Sequence, residues 1–228
     1  MRRNKTREST GLVPLLAAGA NGMSGGDPAV VVLDDDHAIL DSLERLLTPH
    51  GYQVRLHAEP ADFFSAGLPP VPACLLLDHQ LTGGVTGVQV HAELVRRGWF
   101  IPTVFLTAHW NVQVVVNAMR AGADGFLTKP FDPAELVDAV AQAVQHARTK
   151  QQNDLKATTA RLRAAKLTPR EREIVRLIVA GFLSKEIADL LNIALVTVKV
   201  HRGRAMHKLG AGNSVNLVHL ATLADITR

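Results

Sequence analysis

The chain has 228 residues, 47% of them hydrophobic, with 25 Lys and Arg against 21 Asp and Glu and a single cysteine. That length allows two modest domains with cores of their own, the lone Cys74 excludes an intramolecular disulfide and fits a reducing cytoplasm, and no apolar run approaches the roughly 20 residues of a membrane span. The net charge of +4 conceals a division: residues 29–147 carry 6 Lys and Arg against 13 Asp and Glu, whereas residues 148–228 carry 15 against 6. An acidic first part and a basic second part point to different partners, with nucleic acid the natural one for the basic part.

Residues 1–28 read as a disordered tail. Its "MRRNKTREST" followed by "GLVPLLAAGA" imitates a short signal peptide, but the apolar stretch is brief, and Met23 offers an alternative start. From residue 29 to 147 short apolar runs alternate with segments whose apolar residues recur at three and four. The expected strands are "AVVVL" (29–33), "YQVRL" (52–56), "ACLLL" (73–77), "TVFL" (103–106) and "DGFLT" (124–128). Between and after them "HAILDSLERLLTPH", "PADFFSAG", "TGVQVHAELVRRG", "NVQVVVNAMRAG" and "PAELVDAVAQAVQHA" read as helices. Five repeats of strand then helix predict an α/β domain with a five-stranded, doubly wound parallel sheet covered on both faces.

In an open sheet of this kind ligands sit outside the carboxyl ends of the strands. Asp34 and Asp35 end the first expected strand and Asp78 the third, while Thr107 follows the fourth and Lys129 the fifth. Adjacent carboxylates repel, and burial sharpens the repulsion, so the "DDD" of 34–36 needs a cation, a shared proton or ample water, and its plainest reading is a helix N-terminus whose free N–H groups stabilise one or two carboxylates. Three carboxylates in one crevice make a hard oxygen site suited to magnesium, which keeps open positions for water or a phosphoryl oxygen.

Residues 148–166, polar and free of Pro and Gly, read as a helical linker, with Leu155 and Leu162 at heptad spacing. Residues 167–228 read as an all-α domain of four helices. Thr168 is an expected N-cap with Pro169 at the first helical position and Glu171 closing a capping box, and Gly181 is an expected stop. In the third of these helices, "LVTVKVHRGRAMHKLG", placing Val198 toward the core brings Ala205 and Leu209 with it and leaves Val196, Lys199, Val200, Gly203, Arg204 and His207 outward. Lys199 and Val200 are the candidates for base edges, and Gly203 for close approach to DNA. Arg202, Arg204, Lys185 and Lys208 are the candidates for phosphates. His201 reads as a packed helix residue.

The stretches "VVVLDDDHAILDSL", "LLLDHQL", "VFLTAHW" and "GFLTKPF" resemble the receiver domain of bacterial two-component response regulators, a flavodoxin-like fold. The resemblance implies that Asp78 is the phosphoacceptor for a sensor histidine kinase and that Asp34, Asp35, Asp78 and Gln80 hold magnesium. It also implies that Thr107 and Lys129 support the chemistry, that Thr107 and Phe126 form the switch, and that the Lys129–Pro130 peptide is cis. After the phosphoacceptor the family usually has Met-Pro and a Gly eight residues on; here Leu81-Thr82 stands there and Gly87 comes after nine, so the loop is expected to be one residue longer.

The segment "LTPREREIVRLIVAGFLSKEIADLLNIALVTVKVHRGRAMHKLG" resembles the helix-turn-helix of the FixJ/NarL (LuxR-type) regulators. Together the two resemblances imply a cytoplasmic, non-membrane transcription regulator that is not an enzyme beyond its own phosphorylation and dephosphorylation. A homodimer when phosphorylated, it would bind paired double-stranded DNA half-sites and engage RNA polymerase, with Val114, Val115 and Met119 as candidate dimer contacts. Two other readings remain open at this point: a DNA-binding regulator whose receiver no longer takes phosphate, and a phosphatase with an aspartyl nucleophile in "DDD".

Overall fold

The computed structural model describes residues 27–70, 72–108, 119 and 122–226. Five strands, β1 (Ala29–Leu33), β2 (Gln53–His57), β3 (Ala73–Asp78), β4 (Thr103–Thr107) and β5 (Gly125–Thr128), form one sheet in the order β2-β1-β3-β4-β5. Every pair in it is parallel. Each strand lies within a residue of its expected span. The tail, apart from Asp27 and Pro28, lies outside the described residues, as does the expected helix over 111–122 with Val114 and Val115, apart from Met119 and Gly122.

Strand alternation sorts the core into two layers. Val30, Val32, Cys74, Leu76, Val104 and Leu106 face α1 (His37–Leu47) and α4 (Pro133–Ala164). Ala29, Val31, Leu33, Leu75, Leu77 and Phe105 face α2 (Pro60–Ala66) and α3 (Gly87–Arg96), where Phe63, Val90 and Leu94 are buried. The connection leaving β1 therefore runs to one face and that leaving β3 to the other, which opens a crevice between the carboxyl ends of these neighbouring strands.

Helix starts follow capping chemistry. Asp36 accepts from the Ala38 amide at the start of α1, Thr86 and Gln89 form a capping box on α3, and Asp132 accepts from the Ala134 amide with Pro133 in the first turn of α4. Helix α4 runs unbroken for 32 residues from the sheet through the expected linker. Its first half buries Leu136, Val140, Ala143 and Val144 under the sheet, and its end buries Ala160 and Ala164 among the C-terminal helices.

Those helices are α5 (Pro169–Val179), α6 (Ser184–Leu190), α7 (Leu195–Leu209) and α8 (Ser214–Leu223), giving eight α-helices among the described residues. Ile174, Ile187, Ala188 and Val198 form the small core between α5, α6 and α7. Val175, Ala205, Leu209, Leu217 and Ala221 form a second one that closes on the end of α4. The predicted capping box of Thr168 and Glu171 is present, and Gly181 ends α5 at a φ of 94°.

Candidate functional site

The crevice between β1 and β3 contains a cavity of about 250 Å³ lined by Asp34, Asp35, Asp36, Asp78, Gln80, Thr107 and Lys129 among others. The structure thus brings together the residues singled out at the strand ends. Asp34 is buried at 1% exposure, Asp78 at 8% and Thr107 at 2%, so the charges sit in a pocket of low polarizability rather than on an open surface. Lys129 Nζ bonds both carboxylates, 2.5 Å from Asp34 Oδ2 and 3.0 Å from Asp78 Oδ1. Burial opposes the ammonium charge, but the two carboxylates outweigh it and hold the Lys129 pKa above its ordinary value. For Asp34 burial wins over the help from Lys129 and the Asp36 amide, and its pKa is raised.

Asp34, Asp35 and Asp78 present carboxylate oxygens within 4.8 Å of one another, a spacing and donor chemistry that fit a divalent, oxygen-seeking ion such as magnesium. Gln80 lines the same cavity. Asp36 does something else: its side chain caps α1 while its amide donates to Asp34 Oδ1 at 3.0 Å. All three consecutive aspartates line the cavity, but Asp34 and Asp35 belong to the candidate metal cluster while Asp36 starts the helix and steadies its neighbour.

The loop after Asp78 folds into a compact turn beside the crevice. Gln80 and Thr86 pair in an isolated antiparallel bridge, the Leu81 amide donates to the Val85 carbonyl at 3.0 Å, and Thr82–Gly84 make one 3₁₀ turn with Gly83 and Gly84 at positive φ. Gly87 then passes so close to the strand that a Cβ there would lie 2.4 Å from the Asp78 carbonyl oxygen. That contact accounts for a glycine at this point whatever the length of the loop before it.

The Lys129–Pro130 peptide is cis. Thr107 lines the cavity and its carbonyl accepts from the Lys129 amide at 2.6 Å, tying the ends of β4 and β5 together. Phe126, half-buried on β5, packs beside the α2 and α3 layer. His79 has a buried Nδ1 with no hydrogen-bond partner. His109 and Trp110 lie outside the described residues.

On the basic side, α7 presents Val196, Lys199, Val200, Gly203, Arg204 and His207 on one exposed face, and Val198, Ala205 and Leu209 on the opposite, buried one. Val200 is 45% exposed and Val196 65%, unusual for valine and suited to contact with apolar base groups such as thymine methyl. Nothing lies within 4 Å of a Cβ built on Gly203, so this face is open at its centre. Lys185 is exposed near the start of α6.

Two of the expected phosphate residues are engaged inside the domain. Arg202 bonds Ser184 Oγ at 3.5 Å and Ser214 Oγ at 2.5 Å, bridging the starts of α6 and α8. Lys208 pairs at 2.6 Å with Glu171, whose carboxylate is buried at 2% exposure and also accepts from the Thr168 amide. Pattern reasoning placed Glu171 as a cap but gave no sign of its second partner 37 residues on. Nor did it find Arg163, whose guanidinium reaches the Leu209 carbonyl at 3.1 Å. His201 has a buried, unpartnered Nδ1 and is half-buried.

Comparison with known proteins accounts for both halves. The family described as the response regulator receiver domain matches residues 30–141, and the luxR family of bacterial regulatory proteins matches residues 165–221. The chain is 33% identical over 200 residues to nodulation protein W of Bradyrhizobium diazoefficiens, covering 87% of each chain. It is 36% identical over 198 residues to the transcriptional regulatory protein FixJ of Azorhizobium caulinodans, covering 86% of this chain and 93% of FixJ. Among solved structures, the response regulator StyR superimposes with a TM-score of 0.72 at 36% identity, over 86% of this chain and 99% of StyR. Full-length FixJ from B. japonicum gives 0.53 at 31% identity, over 91% and 100%.

Proposed function

Because the chain belongs to the response regulators that join a receiver domain to a LuxR-type DNA-binding domain, we propose that its binding of DNA is controlled by phosphorylation of Asp78. The receiver spans 29–147, the linker 148–166 and the DNA-binding domain 167–228. The observation that carries this reading is the half-buried Lys129 joined by direct hydrogen bonds to the buried Asp34 and Asp78 at the carboxyl ends of the sheet.

Asp78 Oδ attacks the phosphorus of a phosphohistidine on a sensor kinase. The N–P bond breaks, and the imidazole leaves with the electron pair and takes up a proton, so the phosphoryl group ends as an acyl phosphate. Bound magnesium, held by Asp34, Asp35 and Asp78 with Gln80 beside them, supplies charge that screens the repulsion between a carboxylate and an incoming phosphoryl group. Lys129, already placed between Asp34 and Asp78, exchanges part of its carboxylate contact for a phosphoryl oxygen. The Thr107 hydroxyl, at the end of the neighbouring strand, takes another, and its inward movement makes room for Phe126 to turn.

The readout is dimerisation, with Met119, itself 46% exposed, among the contacts, followed by binding of two DNA half-sites through α7. Lys199, Val200 and Gly203 meet base edges, Lys185 and Arg204 grip the phosphate backbone, and RNA polymerase is engaged at the promoter; Arg202 and Lys208, expected to join them, brace the domain through Ser184, Ser214 and Glu171 instead.

The test is an intact-mass spectrum after incubation with a small phosphodonor and magnesium, alongside Asp78→Asn. A base-labile phosphoryl adduct on the wild type alone, with tighter binding to DNA, is the expected result. DNA affinity equal in both proteins, with and without donor, would instead mark a regulator independent of phosphate.

A further inference from the structure

An α-helix leaves its last carbonyls without intrahelical partners, and its C-terminal end carries partial negative charge. Helix α7, the DNA-facing helix of the proposed function, ends at Leu209, with Gly210 turning left-handed at a φ of 74°. Amides of the turn satisfy two of its carbonyls: Gly210 donates to His207 at 3.2 Å and Ala211 to Met206 at 2.8 Å. The carbonyl of Leu209 is instead bonded by Arg163 Nη1 at 3.1 Å.

Arg163 belongs to α4, the helix that starts under the sheet, and lies one residue before Ala164. Ala160 and Ala164 pack in the same cluster as Ala205 and Leu209, so the exposed Arg163 makes its bond at the edge of a buried contact between the two helices. Gly210 supplies the left-handed backbone conformation there, and a Cβ on it would stand 2.5 Å from Arg163 Nη1, so a larger residue would push the tip of that flexible side chain aside. Arg172 fastens the same junction from the other side, donating to the Ala164 carbonyl at 2.9 Å at the end of α4. Arg161 also reaches across to Asp225, but both side chains are exposed and water weakens that pair.

We propose that Arg163 is a positioning residue for DNA recognition: it fastens the C-terminal end of the DNA-facing helix to the linker helix and so fixes the angle at which Val196, Lys199, Val200 and Arg204 meet the groove. The proposal rests on the DNA-binding reading, and its two arms separate a failure of one from a failure of the other.

The first arm needs no DNA. Hydrogen exchange of full-length Arg163→Ala, compared with wild type, is expected to show faster exchange of the Gly210 and Ala211 amides by about tenfold, the scale of one lost hydrogen bond, with the melting temperature of the sheet domain unchanged. Unaltered exchange at those amides overturns the proposal, whatever the protein binds.

The second arm uses a duplex selected from a randomised pool by the wild-type protein, and a scrambled duplex. Arg163→Ala is expected to lose about tenfold on the selected duplex and little on the scrambled one, with Arg163→Lys recovering part of the loss. The slope of log affinity against log salt stays at the wild-type value. A slope smaller by about 0.9 identifies Arg163 as a phosphate contact, and equal losses on both duplexes show that it fixes no recognition geometry; either result overturns the proposal. If wild type selects no duplex, the DNA-binding reading fails, and the exchange arm still decides whether Arg163 holds the helix end.

Discussion

Lys129 illustrates how single residues in the crevice carry opposed demands. It neutralises two buried carboxylates that would otherwise stand beside each other, and the phosphorylation proposed for Asp78 would require it to release part of that contact. Gly87 serves the same site by its lack of a side chain. Gly87→Ala drives a methyl into the Asp78 carbonyl, so the variant is expected to lose about 1–3 kcal/mol in denaturant melts, as overpacked positions do, and to take up phosphate from a small donor more slowly than wild type. Cys74 is the opposite kind of residue. Burial pushes its thiol up to about 12, so it holds its proton and behaves as a small apolar filler. Iodoacetamide at pH 8 should leave the native protein unlabelled and modify Cys74 fully in denaturant. Lys129 and Cys74 were legible in the sequence because one follows and the other lies within a short apolar strand, whereas Gly87, at the start of α3, stood out only by the spacing usual in the receiver family. Asp36 was less so, since a capping carboxylate and a ligand carboxylate look alike until the helix after them is placed.

At the scale of elements, the four C-terminal helices depend on a buried ion pair. Burial pushes the Glu171 pKa up, but hydrogen bonds from Lys208 and Thr168 outweigh it and hold the carboxyl below its ordinary value of 4.5. A carboxylate depressed in the folded state stabilises fully above the unfolded value and loses that contribution as pH falls through the folded one. Glu171→Gln is therefore expected to destabilise the DNA-binding domain by about 1–3 kcal/mol at pH 7, with the gap to wild type closing below pH 4.5 in acid melts. The same pair bears on DNA. Arg204→Ala and Lys185→Ala should each lower the salt slope of DNA binding by up to about 0.9, whereas Lys208→Ala should leave it almost unchanged, its charge being committed to Glu171. Periodicity and capping rules made the strands, the Thr168 cap and the buried face of α7 readable. They could not reveal Glu171–Lys208, Arg202–Ser214 or Arg163–Leu209, because no local pattern relates residues on different helices. The loop after Asp78 was legible only as an insertion; the 3₁₀ turn that absorbs it depends on a bridge between Gln80 and Thr86 formed across the gap.

Taken as a whole, the molecule is two differently charged bodies on one helix. The division of charge was plain from the sequence, and the continuity of α4 was suggested by the lack of Pro and Gly over 148–166. Around residues 148–156 that helix is largely exposed, so what it conveys between its ends there is direction rather than contact. Two residues inserted after Gln152 turn everything beyond by about 200°, whereas seven bring it back to within about 20°. The expected outcome is that the two-residue insertion keeps DNA affinity without phosphodonor and loses the gain on adding it, while the seven-residue insertion keeps both. The ratio of dissociation constants with and without donor measures this.

The same 32 residues also set a mechanical scale. At 1.5 Å per residue α4 is a rod about 48 Å long, pivoted beside the carboxylate crevice and fastened at its far end to α7, the helix proposed to face DNA. A tilt of about 5° at the pivot, too slight to break any packing there, sweeps the far end through about 4 Å, more than the 3.4 Å between stacked bases. Gearing of this kind makes an ångström of adjustment around an acyl phosphate commensurate with the step of a double helix.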